Sequence, residues 1–127
     1  MAESWLTAGK VRARFDDAGA LEVAVDGLTT QTKYYKPLLK EFFRKTFTAA
    51  RPRWGDFEVH IVMHYTGDPP HMDLDNLAKP LLDSAIGAAF HDDSQVERLI
   101  VTKMDGDRPR ISVTARPMQE VRVLEDA

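Results

Sequence analysis

The chain has 127 residues, enough for one domain with a real core, and its 43% apolar and 29% charged residues are the proportions of a globular chain. It contains no cysteine, which excludes disulfides, thiolate metal sites and a cysteine nucleophile and fits a reducing compartment. The net charge of −3 conceals a segregation: Lys33, Lys36, Lys40, Arg44, Lys45, Arg51 and Arg53 share their stretch with one acid, Glu41, whereas acids dominate from His71 to Asp107.

The longest apolar run near the middle, Ala85 to Phe90, is far too short to cross a bilayer. The opening Met1-Ala2-Glu3-Ser4-Trp5 lacks the basic and apolar regions of a secretory signal, so the expected location is the cytoplasm. Leu21, Val23 and Val25 alternate with Glu22 and Ala24, which predicts a strand closed by Asp26-Gly27. A helix is expected from about Lys36 to Ala49, where Leu38, Leu39, Phe42, Phe43 and Phe47 recur at three- and four-residue spacing. Lys36, Lys40 and Arg44 follow one another at i+4 and share a face, either a solvated flank or a rail of cations along a phosphate backbone. After the break at Arg51-Pro52-Arg53-Trp54-Gly55, Phe57, Val59, Ile61, Met63 and Tyr65 alternate with Glu58, His60, Val62 and His64 as the clearest strand of the sequence. A second helix is expected over Leu77 to Ala89, burying Leu77, Leu81, Ala85 and Ala89. Strands follow at Val96–Met104 and Arg110–Ala115, with Asp105-Gly106-Asp107 as a tight connection between them. The order strand, helix, strand, helix, strand, strand predicts an α+β or mixed α/β domain spanning residues 1–127. It has a small mixed sheet of about four strands covered by two main helices, and a flexible tail after about residue 117.

Chemistry concentrates at His71-Met72-Asp73-Leu74-Asp75-Asn76-Leu77-Ala78-Lys79. If this segment leads into the helix extended, Asp73 and Asp75 point the same way while Leu74 anchors in the core. Two such carboxylates repel each other unless a cation joins them, and a hard ion such as Mg²⁺ takes one or two carboxylates and keeps its waters. Helix capping is the plainer reading of Asp73, Asp75 or Asn76. Lys79 falls one turn beyond Asp75, and Asp83 one turn beyond Lys79, where it pairs with it. His91-Asp92-Asp93-Ser94-Gln95-Val96 then supplies a second acidic pair directly before a strand. The intervening helix is about 20 Å long, so Asp93 approaches Asp75 only if the chain turns back alongside it.

Taken together, Asp73-Leu74-Asp75-Asn76-Leu77, Lys79-Pro80-Leu81-Leu82-Asp83 and Asp92-Asp93-Ser94-Gln95-Val96 resemble the RusA family of Holliday-junction resolvases, most specifically from Asp73 to Val96. That resemblance implies a homodimeric α/β endonuclease that cuts four-way DNA junctions by paired nicks. It depends on Mg²⁺, with Mn²⁺ as a substitute. It places the metal-binding aspartates on Asp73, Asp75 and Asp93 and the catalytic lysine on Lys79, with Asn76, Asp92 and Gln95 in support. The metal would polarise the scissile phosphate and activate a water, and Lys79 would stabilise the charge that develops. Lys33, Lys36, Lys40, Arg44, Arg51 and Arg53 are the expected contacts to the DNA arms. Where family members carry a proline- and asparagine-containing turn after the first strand, this chain has Gly27-Leu28-Thr29-Thr30-Gln31-Thr32-Lys33, a departure that bears on substrate preference more than on chemistry. Two rival readings keep other substrates and classes open: a nuclease for flapped or otherwise branched DNA, and a catalytically silent dimer that binds metal and DNA.

His60 and His64 share one strand face, where zinc spacing competes with ordinary half-buried histidines; His71 and His91 flank the acidic motifs. Trp5 and Trp54 read either as packing residues or as stacking surfaces for an unpaired base.

Overall fold

The structure is a computed structural model that describes residues 5–29 and 31–118, so most of the expected tail lies outside the described residues. Its strands are β1 (Leu6–Ala8), β2 (Val11–Phe15), β3 (Leu21–Asp26), β4 (Phe57–Tyr65), β5 (Val96–Asp105) and β6 (Arg110–Pro117). Its helices are α1 (Tyr35–Lys45) and α2 (Leu74–Ala85), with short 3₁₀ turns at Thr32–Tyr34 and Asp93–Gln95.

The alternation in β4 works as the sequence implies. Phe57, Val59, Ile61 and Met63 are buried on one face while Glu58, His60, Val62 and His64 stay half-buried on the other. The sheet runs β1-β2-β3-β6-β4-β5, six strands rather than about four. The added pair is the β1–β2 hairpin, in which Ala13 is fully buried between Arg12 and Arg14. All neighbours are antiparallel except β4 and β5, which run parallel from Phe57↔Val96 to Tyr65↔Asp105. Parallel neighbours need a crossover, and α2 provides it. The core lies between the helices and one sheet face, where Tyr35, Leu39 and Phe42 of α1 and Leu77 and Leu81 of α2 meet Val23, Ile61, Ile111 and Val113.

Several boundaries differ from expectation for local reasons. α1 ends at Lys45 instead of Ala49 because Thr46 and Phe47 both donate their N–H to the Phe42 carbonyl, turning Phe47 back onto the Phe42 ring, 6.2 Å away and nearly parallel at 11°. α2 begins at Leu74, three residues early, and holds Pro80 in its interior. It stops at Ala85 because Ile86 is extended and Gly87 takes φ +90°, a left-handed conformation that glycine adopts without strain. Leu77, Leu81, Ala85 and Ala89 are nonetheless all buried. Asp105-Gly106-Asp107 does not close a hairpin: β5 and β6 lie on opposite sides of β4, so the loop passes the end of that strand and Gly106 donates to the Tyr65 carbonyl at 2.8 Å. No helix of the described residues is long and apolar enough to cross a membrane.

Candidate functional site

The start of α2 decides how its acids are presented. Asp73 is the N-cap residue with extended backbone (φ −73°, ψ 135°), and its side chain makes no capping hydrogen bond. Asp75 already belongs to the first helical turn. Positions two apart share a side on a strand but lie far around a helix from one another. The expected side-by-side pair is therefore split. Asp75 lines a cleft of about 380 Å³ between α2 and β5, together with Lys79, Asp83 and Asp93 over a floor that includes Leu99 and Val101. Asp73 and Asn76 instead line a larger groove of about 1210 Å³ with Lys33, Tyr34, His71 and Lys103. The larger opening is not where most of the candidate chemistry gathers.

The crossover sets the cleft's layout. α2 carries the chain back across the sheet, so Asp75 sits at the end where β4 finishes and Asp93 at the end where β5 begins. Lys79 lies between them along the helix. Among the described residues no three His, Asp or Glu side chains stand close enough together to form a ready-made metal cage. Asp75, Lys79 and Asp93 make no hydrogen bond or ion pair among the described residues, whereas Asp83 is engaged with Lys36 across the helices at 3.7 Å, not with Lys79.

Asp93 is held by a firmly built turn. Asp92 caps it, its carboxylate accepting the Ser94 N–H at 3.0 Å, and hydrogen bonds from Ser94 keep the Asp92 carboxyl below the usual range. Gln95 is buried at 8% exposure and spends its whole carboxamide on backbone. Oε1 accepts the His91 and Asp92 N–H groups at 2.8 and 3.1 Å, and Nε2 donates to the Arg53 and Gly55 carbonyls, each at 2.8 Å. At the other end, Lys103 donates to the Pro70 carbonyl at 3.2 Å and fastens the loop that delivers Asp73.

An independent comparison covers nearly the whole fold: the family model for endodeoxyribonuclease RusA matches residues 6–116 of the 127. The chain belongs to the RusA family. It is thereby an endodeoxyribonuclease, a hydrolase of DNA phosphodiester bonds, in a family that resolves Holliday junctions. No individual curated protein matches the chain.

For a RusA nuclease, the expected DNA-binding cations are more dispersed than a single rail. Lys33 lines the groove beside Asp73. Lys36 is engaged with Asp83, while Lys40 and Arg44 line a separate cleft of about 220 Å³ and Arg44 pairs with Glu41. Arg51 folds back onto the Thr48 and Ala50 carbonyls at 2.7 and 3.0 Å. Arg53 reaches over Gly19 towards Glu58 and Arg116, around the sheet from the groove. Lys103 lines the Asp73 groove with Lys33, a position that its place as one cation inside a strand does not reveal in the sequence. His64 contacts the Ser112 hydroxyl at 3.3 Å, and burial followed by the charge of Arg110 pushes its pKa down. Trp5 lies under the guanidinium groups of Arg12 and Arg14, 5.3 and 4.7 Å from its ring, which fits the packing reading.

Proposed function

We propose that this chain is a divalent-metal-dependent, structure-selective nuclease that resolves four-way DNA junctions by paired nicks as a homodimer, in the cytoplasm. The observation that carries this reading is that Asp75 and Lys79, on α2, share one cleft with Asp93, which follows the crossover. Mg²⁺ usually binds one or two carboxylates and retains several waters. An exposed carboxylate on an open cleft fits such an ion without a closed cage, and Mn²⁺ would suit the same oxygens. Asp75 is the proposed ligand at the head of α2, and Asp93, at the other end of the same cleft, is proposed to reach the ion when DNA and metal draw the two ends together. Asp73 joins them on the family pattern Asp73-Leu74-Asp75, from its N-cap position at the head of the same helix. When bound, the ion supplies Lewis acidity towards the phosphate and an activated water.

The chain's own groups do the rest. Lys79 offers its ammonium to the phosphoryl oxygens as negative charge grows on them. Gln95 and Asp92 fix the turn that aims Asp93. Lys33 and Lys103 line the adjoining groove, where a DNA arm would lie against Asp73 and Asn76. Pairing of subunits is supported by β5, the last strand of the sheet, whose Ile100 and Met104 are exposed on the face away from the cleft. A two-fold pair of sites suits a junction whose arms are themselves related in pairs.

The test incubates the protein with a four-way junction, a flap and linear duplex, each with and without Mg²⁺. The expected result is symmetric nicking of the junction only when metal is present. Cutting confined to flaps would shift the substrate, and binding without cutting in either metal would leave a silent binder.

Two further outcomes follow from the site. Lys79→Ala should lower the single-turnover cleavage rate by about 100-fold while leaving junction affinity nearly unchanged. An unaltered rate would remove Lys79 from the chemistry. Replacing Lys33 and Lys103 together by Gln should weaken binding to every DNA shape and reduce the slope of log affinity against log salt by about two. The same change at Arg51 and Arg53 should move the slope much less, and a reversed order would relocate the DNA path.

A further inference from the structure

Trp54 is the most solvent-open of the exposed large apolar side chains, at 74% accessibility, and it stands on the segment between α1 and β4. One face of its indole is already occupied: the His91 ring lies 4.0 Å away and within 16° of parallel. A loop free to relax would fold so large an apolar ring inward. Here it is held outward by buried chemistry. The carbonyls that Gln95 grips belong to Arg53 and Gly55, the residues on either side of Trp54, and the N–H groups it satisfies belong to His91 and Asp92. Arg53 also donates its N–H to the Ala89 carbonyl at 3.1 Å, and Arg53 and Phe90 form a β-bridge. One side chain thus locks the backbone beneath both rings, and the same turn continues into Asp93 of the cleft.

We infer that the Trp54–His91 pair is a preorganised stacking platform for one unstacked nucleobase of the branched DNA cut at the neighbouring cleft. The inference rests on the nuclease reading and adds a base contact to it. Stacking against a rigid aromatic needs little ordering on binding, tolerates any base, and favours DNA in which a base is already loosely stacked, as at a branch point. The platform would therefore recognise structure without reading sequence, and it would hold the strand at a fixed offset from Asp93. A base suits the open indole face better than a protein side chain would, because the platform is flat and doubly aromatic, and its His91 stands two residues along the chain from Asp93, which lines a cleft whose proposed substrate is nucleic acid.

The experiment compares wild type, Trp54→Ala and Trp54→Phe in EDTA, where cutting is off. Each is titrated with a four-way junction carrying 2-aminopurine at the branch and with linear duplex of the same sequence. Trp54→Ala should lose roughly tenfold in junction affinity, keep its duplex affinity, and no longer quench the 2-aminopurine emission, while Trp54→Phe restores most of both. Because the indole is exposed, the Ala variant should melt within about 3 °C of wild type. Wild-type junction binding and quenching in Trp54→Ala would overturn the platform and leave the nuclease reading standing. So would equal losses on junction and duplex, or a change in sedimentation mass with DNA binding intact, which would mark a protein contact. Failure of the wild type to bind branched DNA at all would remove both readings.

Discussion

Replacing Asp75 by Asn should reduce junction cleavage by about 1,000-fold or more, on the order of 4 kcal/mol in the barrier, while the variant still binds the junction in EDTA. Asn keeps the size of the side chain but loses the charge that a hard cation requires. Asp75 is exposed and makes no hydrogen bond or ion pair among the described residues, so the change should alter stability by less than about 0.5 kcal/mol. Asp93→Asn should behave alike, and the double variant should be little worse than either single one, since ligands of one ion act as a unit. Asp83→Asn is the informative control. Asp83 lines the same cleft but is engaged with Lys36, so its loss should cost less than about tenfold. Single-turnover rates together with metal-free binding separate these outcomes. Near-normal cutting by Asp75→Asn would take that residue out of the site.

Gln95→Ala should lower stability by about 2–4 kcal/mol, with a fall in Tm of about 10 °C. The four hydrogen bonds of its carboxamide join the Arg53–Gly55 segment, 40 or more residues away in sequence, to the turn bearing Asp93. Truncation strands two carbonyls and two N–H groups in a partly buried place, which costs more than the bonds themselves contribute. Gln95→Glu should also destabilise, because a carboxylate oxygen would face the Arg53 and Gly55 carbonyls in place of a donor. Thermal melting of the two variants checks this. A shift of only a degree or two in both would mean that the turn is held by its Asp92 cap alone.

Elements whose pattern is complete within a few residues were legible in the sequence. β4 announces itself because every second residue from Phe57 to Met63 must be apolar to cover the core. β2 is harder to read, because its alternation is only five residues long with small Ala13 at its centre between Arg12 and Arg14, and pairing with β1 and β3 completes that segment as a strand. The end of α2 was misjudged through Ala89, whose burial comes from the reversal at Gly87 and not from another helical turn. In the site, the residue types were readable but their presentation was not. Starting the helix three residues earlier sends Asp73 and Asp75 to different sides, and no local propensity fixes that boundary. The partners of Lys36 and Asp83 were equally hidden, since they depend on how α1 crosses α2. Gln95 could be recognised as a motif residue, but its grip on Arg53 and Gly55 is a long-range contact that spacing alone does not encode.

All of the proposed chemistry turns on whether the α2–β5 cleft is a cation site. Crystals soaked in Mn²⁺ and recorded at the manganese edge give the most direct answer. The expected result is an anomalous peak in that cleft with a carboxylate oxygen of Asp75 at bonding distance, about 2.1 Å, and Asp93 drawn towards it from the cleft's other end. A map with no peak there, or with manganese bound elsewhere and these two carboxylates free, would contradict it.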